Sequence, residues 1–191
     1  RMTKFICETK NLSKKYKDFY ALKNVNLTIP KGEIYGLVGE NGAGKTTLIR
    51  LLTGLNFKSE GEIILFGHTD NLQYERAKIG CTIEMPALYK DMTASQNLEV
   101  QRIQRGIPNK KCIADTLELI GLSNAGKKRV ANFSLGMKQR LALGVALLGE
   151  PEFLILDEPV NGLDPTGIIE LRELLKKLVK EREVTILISS H

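Results

Sequence analysis

The chain has 191 residues, of which 42% are hydrophobic, and carries a formal net charge of +6. This length fits one domain, or one domain with an inserted lobe, and the apolar content is ample for a packed core. No uninterrupted apolar run approaches the ~20 residues of a membrane-spanning helix, so these residues are not expected to cross a bilayer, and the positive charge leaves nucleic acid, an anionic membrane surface or plain solvation open.

The N-terminal segment, residues 3–33, is predicted to contain strands and a turn. Apolar and polar residues alternate through much of it, and it closes on Pro30 and Gly32. Alternation bounded by turn residues is typical of an antiparallel sheet. Arg1 ahead of Met2 resembles an expression remnant, and no basic and apolar leader follows, so a secretion signal is not expected.

A glycine-rich loop at residues 39–47 follows an apolar segment and precedes a predicted helix. The apolar segment, 34–38, is predicted to be a short buried strand, and apolar residues recur at helical spacing from Leu48 until Gly54. This order leaves backbone N–H groups pointing one way at the positive end of a helix dipole, which suits a polyphosphate. The loop matches the Walker A pattern G-x-x-x-x-G-K-[ST] and consists of Gly39, Glu40, Asn41, Gly42, Ala43, Gly44, Lys45, Thr46 and Thr47.

Two side chains of this loop have predicted roles. Lys45 is expected to reach the β- and γ-phosphates of a nucleotide, and the Thr46 hydroxyl is expected to ligate Mg²⁺. The alternative is a glycine-rich turn with an accidental lysine, and a chance match in a chain of this length has a probability on the order of 1%. The flanking strand and helix lower that value, so the sequence predicts nucleotide binding.

The chain changes character after residues 60–67, which predict a further strand pair. Residues 85–150 become helical and are predicted to form an inserted lobe. Residues 3–84 and 151–191 are predicted to form the nucleotide-binding core around it. The whole chain is therefore expected to be a single α/β domain with a mostly parallel sheet, an antiparallel β part and a helical insertion.

The helices of the lobe carry end signals. Thr93 and Gln96 have the spacing of a capping box that begins one helix. Asn109 is predicted to cap a second helix, which stops at Gly121, and Ser134 to cap a third, long helix. A capped helix N-terminus is also a potential anion site, so Ser134 has both a structural and a functional interpretation.

Parallel-sheet character returns at the C-terminal end. Residues 153–156 and 184–188 are continuous apolar runs, typical of strands covered on both faces, and an amphipathic helix lies between them. Strand, helix and strand in this order imply a right-handed crossover. Because His191 directly follows a predicted buried strand, we expect the sequence to be a piece of a longer protein.

An acidic pair, Asp157 and Glu158, closes the first of these strands. In an enzyme with a phosphate loop, the aspartate can hold the Mg²⁺ shell and the neighbouring carboxylate can activate a water for in-line attack on the γ-phosphate. Alone, the pair would be read as solvated acids at a strand end. With Lys45 and Thr46 upstream, the catalytic interpretation is favoured.

The order of these segments resembles the ATP-binding subunit of ABC transporters over essentially the whole chain. The motifs that carry the likeness are the phosphate loop, 39–46, a signature segment, 133–140, an Asp–Glu pair, 157–158, a D-loop, 161–164, and a terminal Ser–His, 190–191. The resemblance implies an ABC ATPase fold, built on a P-loop NTPase core. It also implies ATP and Mg²⁺ as ligands.

The resemblance further implies roles for single residues. Tyr16 would stack on the adenine, Glu158 would be the catalytic base, and His191 would hold the γ-phosphate and the attacking water. Two copies would close head to tail on two ATP molecules, and Asp164 would bridge the two sites. Each ATP would contact the phosphate loop of one copy and the signature of the other, which consists here of Ser134, Leu135, Gly136 and Met137.

Two positions depart from the family pattern. Leu135 and Met137 replace a glycine and a glutamine of the signature, while the serine and the second glycine remain. Glu84 stands where the family has the Q-loop glutamine, and it is expected to be a third ligand of Mg²⁺. A glutamate can accept a metal but adds charge, so slower or differently regulated hydrolysis is the hypothesis for this position.

The same departures are similar to ATPases of bacterial exporters for bacitracin and lantibiotics. That subgroup implies a second ATP-binding subunit, identical or different, and a separate transmembrane permease. It places the chain at the cytoplasmic face of the membrane, with export of a peptide antibiotic as the expected function. No nucleic acid partner is expected.

The alternative is a soluble ABC-type ATPase that acts on nucleic acid or ribosomes through its positive charge. The interval between residues 46 and 134 leaves no room for long heptad arms, and the basic residues between 102 and 129 have no interleaved aromatics. A non-hydrolysing ATP-gated module is a third interpretation, which Glu158 argues against. The three widely spaced cysteines, Cys7, Cys81 and Cys112, are expected to be buried free thiols.

Overall fold

A computed structural model describes residues 3–83 and 87–191. Its strands are β1 (Phe5–Tyr16), β2 (Phe19–Pro30), β3 (Ile34–Val38), β4 (Glu60–Leu65), β5 (Ile79–Thr82), β6 (Phe153–Leu156) and β7 (Thr185–Ser190). Its helices are α1 (Lys45–Thr53), α2 (Leu72–Arg76), α3 (Ala94–Gln104), α4 (Lys111–Leu119), α5 (Leu135–Leu147) and α6 (Pro165–Arg182). Short 3₁₀ turns lie at Ser123–Ala125 and Val130–Asn132.

The N-terminal strands form an antiparallel sheet in the order β2-β1-β4, which confirms the predicted sheet. The predicted strand pair at 60–67 is wrong, because β4 is a single strand that pairs with β1. β4 stops at Leu65, since Phe66 and Gly67 adopt positive φ angles of 52° and 82° and turn the chain away. Ile63, Ile64 and Leu65, the apolar residues of this segment, are consecutive residues of β4, and all three are buried.

A second sheet is parallel and has the order β3-β7-β6-β5. β6 is buried along its whole length, as its continuous apolar sequence predicted. The predicted burial of 34–38 is wrong: Ile34 and Val38 of β3 are 40% and 72% exposed. The reason is position, because β3 pairs with β7 on one side and no described strand pairs with its other side.

Alternate residues of β6 enter two different cores. Phe153 and Ile155 pack with α1 and the antiparallel sheet, whereas Leu154 and Leu156 pack with α5, α6 and the other helices of the 94–147 region. Side chains of a strand alternate between its two faces, so one buried strand joins both cores. The α/β fold class, with a mostly parallel sheet, an antiparallel β part and helices, is confirmed.

Helix ends follow the sequence closely. The Thr93 hydroxyl accepts from the Gln96 amide (3.2 Å) and the Gln96 side chain accepts from the Thr93 amide (2.9 Å), so the capping box is confirmed. The Asn109 cap is one residue off: α4 is capped at Lys110, and the Asn109 carboxamide oxygen accepts from the Lys111 amide (3.0 Å). The division into a 3–84 and 151–191 core with an 85–150 lobe stays a prediction.

The cysteines are free thiols that differ in burial. Cys7 lies in β1, the central strand of the antiparallel sheet, and is fully buried, and this burial raises the pKa of its thiol to about 12. The predicted burial is wrong for Cys81, which is exposed because β5 is an edge strand of the parallel sheet. Within 3–83 and 87–191, no helix is both long enough and apolar enough to cross a membrane.

Candidate phosphate-binding site

The phosphate loop lies between β3 and α1, as the sequence predicts. No side chain caps the start of α1, and the first-turn amides of a helix have no intrahelical acceptor, so those of α1 can donate to an anion on the loop. Gly44 caps the helix with a φ of 95°, and a Cβ built there would lie 2.8 Å from the Ala21 carbonyl oxygen. Only glycine fits this conformation and this contact, and the contact ties the loop to the start of β2.

Lys45 is 7% exposed and lies beneath the loop. Its ammonium group donates to the Gly39 carbonyl and to the Ser190 carbonyl, the latter at 2.9 Å. It also lies 3.9 Å from Oε1 of Glu158. The cation therefore joins the loop to the ends of both β6 and β7, and it is held where an anion on the loop would approach it.

A hydrogen-bond chain joins the loop to the acidic pair. The Thr46 hydroxyl donates to Oδ2 of Asp157 (3.1 Å), and the Ser189 hydroxyl donates to Oδ1 of the same carboxylate (2.7 Å). The Asp157 amide donates to the Thr82 carbonyl (3.0 Å), which fixes the start of the turn after β6. Two oxygen-bearing side chains, Thr46 and Asp157, thus meet at the mouth of the site.

Glu158 is held in a conformation that non-glycine residues rarely adopt. Its φ is 47°, and its amide donates to the Ser189 hydroxyl (2.8 Å). Its Oε1 lies between two basic groups, 3.9 Å from Nζ of Lys45 and 3.7 Å from Nε2 of His191. The turn aims the carboxylate toward the loop instead of letting it point back along β6.

These residues open into a cleft of about 600 Å³. Its lining comes from the start of β2, the phosphate loop and one member of the acidic pair. It consists of Phe19, Tyr20, Ala21, Asn41, Gly42, Ala43, Gly44, Lys45, Thr46, Thr47 and Glu158. The lining combines the glycine-rich loop, the buried Lys45 cation and the Glu158 carboxylate with the aromatic side chains of Phe19 and Tyr20. Both kinds of group suit a nucleotide, which has charged phosphates and a flat base.

The predicted signature residues line a separate cleft of about 380 Å³. The Ser134 hydroxyl caps α5 by accepting from the Met137 amide (3.1 Å), which confirms the predicted cap. Leu135 lies against Gly162, while the Met137 side chain packs toward the helical core. The lining of this cleft is Ser134, Leu135, Gly136, Arg140, Gly162, Leu163, Asp164, Thr166, Gly167 and Glu170.

The structure therefore brings together one group of predicted residues and keeps another apart. Lys45, Thr46, Asp157, Glu158 and His191 meet around the phosphate loop. Ser134 and Asp164 lie in the second cleft, where the Asp164 carboxylate caps α6 by accepting from the Gly167 amide (2.7 Å). Among the residues that the structure describes, none lines both clefts. Glu84, the predicted third Mg²⁺ ligand, lies outside the described residues.

Sequence reasoning missed Ser189 and Phe19. Ser189 is fully buried and binds both members of the acidic pair, and its only sequence signal is a polar residue that interrupts an apolar strand just before His191. Phe19 lines the nucleotide-shaped cleft, whereas the predicted Tyr16 does not. Its signal was present as an aromatic residue next to a turn, three positions after Tyr16.

The fold and the cleft define a nucleotide-binding domain of the P-loop class. Comparison with known proteins places the chain further, because the ABC transporter family profile matches residues 22–161. The chain belongs to the ABC transporter ATP-binding family. This result confirms the family resemblance and the ABC ATPase fold.

Relatives carry names consistent with that family. The chain is 44% identical to the bacitracin transport ATP-binding protein BcrA of Enterococcus faecalis, over 98% of this chain and 61% of that protein. It is 48% identical to the lantibiotic transport ATP-binding protein SrtF of Streptococcus pyogenes, over 95% of this chain and 78% of that protein. The chain thus spans about three fifths of the length of the first of these relatives.

Solved structures agree with the sequence comparison. One is an ATP-binding cassette in a dimeric post-hydrolysis state with ADP and Pi bound, at a TM-score of 0.83 and 30% identity. The match covers 97% of this chain and 88% of that one. The chain therefore shares its fold with a relative whose solved structure has ADP and Pi bound.

Proposed function

We propose that this chain is the ATP-binding and ATP-hydrolysing part of a bacterial ABC exporter for a peptide antibiotic or a related compound. The observation that carries the proposal is that the Lys45 ammonium and the His191 imidazole both lie within 4 Å of Oε1 of Glu158 at the phosphate loop. A buried cation, a carboxylate and an imidazole gathered in this way suit phosphoryl transfer to water.

The residues at the mouth of the site fit Mg²⁺. Thr46 Oγ1 and Asp157 Oδ2 lie 3.1 Å apart, and hydroxyl and carboxylate oxygens are the ligands that this hard cation prefers. These two residues would hold the ion, with Glu84 as the proposed third ligand. When bound, Mg²⁺ neutralises charge on the β- and γ-phosphates.

The protein itself binds the triphosphate, accepts a proton and positions the attacking water. The loop amides and Lys45 bind the triphosphate and orient the γ-phosphate. Glu158 accepts the proton of the attacking water, and His191, at 3.7 Å from the Glu158 carboxylate, positions that water and the γ-phosphate. Ser189 keeps the Glu158 backbone in its left-handed turn, so the base is aimed before the nucleotide arrives.

A second copy, or a related ATP-binding subunit, would complete each site. Within one chain the described residues that line the cleft with Ser134 and Asp164 differ from those that line the phosphate-loop cleft, and the α5 N-terminus belongs to the first of these clefts. In a head-to-tail dimer it would face the partner's γ-phosphate, with Leu135 and Gly136 beside it. The dimeric state of the solved relative with ADP and Pi supports this arrangement.

Transport follows from the dimer cycle. Closure on ATP would move the 85–150 lobe relative to the 3–84 and 151–191 core, and a transmembrane permease would receive that motion at the cytoplasmic face of the membrane. The names of the relatives, which are transport ATP-binding proteins for bacitracin and lantibiotics, support transport over the alternative of action on nucleic acid or ribosomes.

The role of Glu158 is tested by Glu158→Gln, which keeps the shape of the side chain but cannot accept a proton. We expect ATP turnover to fall at least ~100-fold, the usual contribution of a general base, while ATP binding persists and dimers accumulate with ATP. Phosphate release and light scattering measure the two effects. Glu118→Gln, an exposed carboxylate on α4, is the matched control. Turnover of Glu158→Gln equal to that of the control would refute the assignment.

A further inference from the structure

The C-terminal end of α1 is closed by a side chain from another helix. Arg76, the last residue of α2, donates from Nε to the Leu52 carbonyl and from Nη2 to the Leu51 carbonyl, both at 3.0 Å. The last carbonyls of a helix have no intrahelical partner, and a cation beside them is also stabilised by the helix dipole. The half-buried guanidinium therefore makes a planar, two-pronged contact that joins α2 to the far end of the phosphate-loop helix.

Gly54 leaves the space that this guanidinium occupies. It caps α1 at a φ of 81°, and a Cβ built there would lie 2.9 Å from Cδ and 3.0 Å from Nε of Arg76. A side chain at residue 54 would therefore displace Arg76 as well as strain the backbone. Gly106, which follows α3, has a φ of 66° and no described atom within 4 Å of the corresponding position, so it shares the backbone conformation without such a neighbour.

A second route leads from Arg76 to the acidic pair. The chain passes from α2 into β5, and the carbonyl of the last β5 residue, Thr82, accepts from the Asp157 amide (3.0 Å). The Asp157 carboxylate in turn accepts from the hydroxyl of Thr46, in the first turn of α1 (3.1 Å). These contacts form a closed ring that runs from Thr46 along α1 to Arg76, through β5 to Asp157, and back to Thr46.

The ring restrains both ends of α1. Its nine residues span about 13 Å at the helical rise of about 1.5 Å per residue, so a shift at one end is passed to the other. Hydrophobic packing beneath α1 is non-directional, and the hydrogen bonds at its two ends add the directional restraint. Lys45 has anchors of its own, because its ammonium donates to the carbonyls of Gly39 and Ser190. The approach of Thr46 to Asp157 instead depends on how α1 lies against β5 and β6.

We propose that Arg76 is a positioning residue for the magnesium site, which holds α1 so that Thr46 and Asp157 stay close enough to ligate one ion. This inference rests on the proposed function, since it concerns the same two ligands. Arg76 is not among the described residues that line the phosphate-loop cleft, so it acts through α1 and β5. Its removal therefore weakens the contribution of the metal to nucleotide binding more than it weakens the binding of the phosphates.

Calorimetric titration with the non-hydrolysable ATP analogue AMP-PNP tests this role. The Kd in EDTA divided by the Kd in excess Mg²⁺ measures what the metal adds to the affinity. We expect Arg76→Met to lower this ratio about tenfold, the low end of the loss seen when a group that orients a metal ligand is removed, and to leave the Kd in EDTA within about twofold. Arg76→Lys keeps the charge without the planar fork, so it should restore part of the ratio. Arg172→Met, which changes an exposed arginine on α6, is the matched control.

A glycine substitution provides a second, independent test. Gly54→Ala displaces the guanidinium, so it should lower the ratio in the wild-type background and cause no further fall in the Arg76→Met background. Gly106→Ala introduces the same left-handed strain without touching Arg76, and it should leave the ratio unchanged. If Arg76→Met does not fold, the comparison of Gly54→Ala with Gly106→Ala decides the question.

The outcomes separate this inference from the proposed function. If Arg76→Met gives the same ratio as Arg172→Met, or Gly54→Ala the same ratio as Gly106→Ala, Arg76 does not position the metal ligands. An equal rise of both Kd values in Arg76→Met would show that Arg76 supports the whole loop, which also refutes the inference. If Mg²⁺ adds nothing to the affinity of the unmodified protein, the inference fails while nucleotide binding stands. If the unmodified protein binds no AMP-PNP in either condition, the proposed function itself fails.

Discussion

Replacing Ser189 by alanine removes the group that holds both members of the acidic pair. Its hydroxyl donates to the Asp157 carboxylate at 2.7 Å and accepts from the Glu158 amide at 2.8 Å, and the residue is fully buried. A hydrogen bond to a charged group contributes about 1.5–3 kcal/mol and a neutral one about 0.5–1.5 kcal/mol. We therefore expect Ser189→Ala to lower the free energy of unfolding by about 2–4 kcal/mol.

The substitution is also expected to reduce ATP turnover. Without the hydroxyl, the Glu158 amide loses its acceptor, and the left-handed turn with a φ of 47° is no longer enforced. If relaxation of that turn costs about 1.4 kcal/mol of transition-state stabilisation, turnover at saturating ATP falls about tenfold. Lys45 does not depend on this hydroxyl, so the affinity for ATP is expected to change little.

The neighbouring residue supplies the matched control. Ser190 interacts with Lys45 and Gly39 through its backbone carbonyl, and its hydroxyl makes no hydrogen bond within the described residues. Urea unfolding and steady-state phosphate release on Ser189→Ala and Ser190→Ala compare the same chemical change at adjacent positions. If the two variants agree within ~0.5 kcal/mol in stability and within twofold in turnover, Ser189 does not organise the acidic pair.

Two further predictions address the loop and the partner. Gly44→Ala is expected to abolish measurable ATP binding, because its φ of 95° and its 2.8 Å approach to the Ala21 carbonyl leave no space for a methyl group. Gly42 has a φ of 85° but open space around it, so Gly42→Ala should destabilise the loop conformation only by the ~1–2 kcal/mol that a left-handed residue costs. Equal ATP titration curves for the two variants would contradict the steric argument. Mild crosslinking of the tagged protein in its native membranes should recover a multi-spanning membrane protein. Recovery of ribosomal proteins or DNA, without a membrane protein, would contradict the transport proposal.

Local pattern was sufficient where a function depends on the conformation of a few consecutive residues. The loop from Gly39 to Thr47, the Thr93 capping box and the Ser134 cap were all predicted because each is a backbone motif with its own donors and acceptors. The buried strand β6 was predicted for the same kind of reason, since its apolar run requires cover on both faces.

The position of a strand within its sheet could not be predicted from these local patterns. An apolar strand can be central or at an edge, and the sequence of β3 does not say that it pairs only with β7 among the described strands. The same ambiguity hid the exposure of Cys81 on β5. Strand order depends on which segments pair over long separations, and nothing within a strand of five residues records that choice.

The sequence by itself determined that this protein has a phosphate-loop motif and belongs with the ABC ATPases, because both features depend on short motifs in a fixed order. Tertiary structure alone decided that Ser189 holds Asp157 and Glu158, and that Phe19 lies in the cleft. These contacts arise from the pairing of β6 with β7 and from the approach of β2 to Gly44. They join residues that are far apart in the chain, so the local periodicity of the sequence does not predict them.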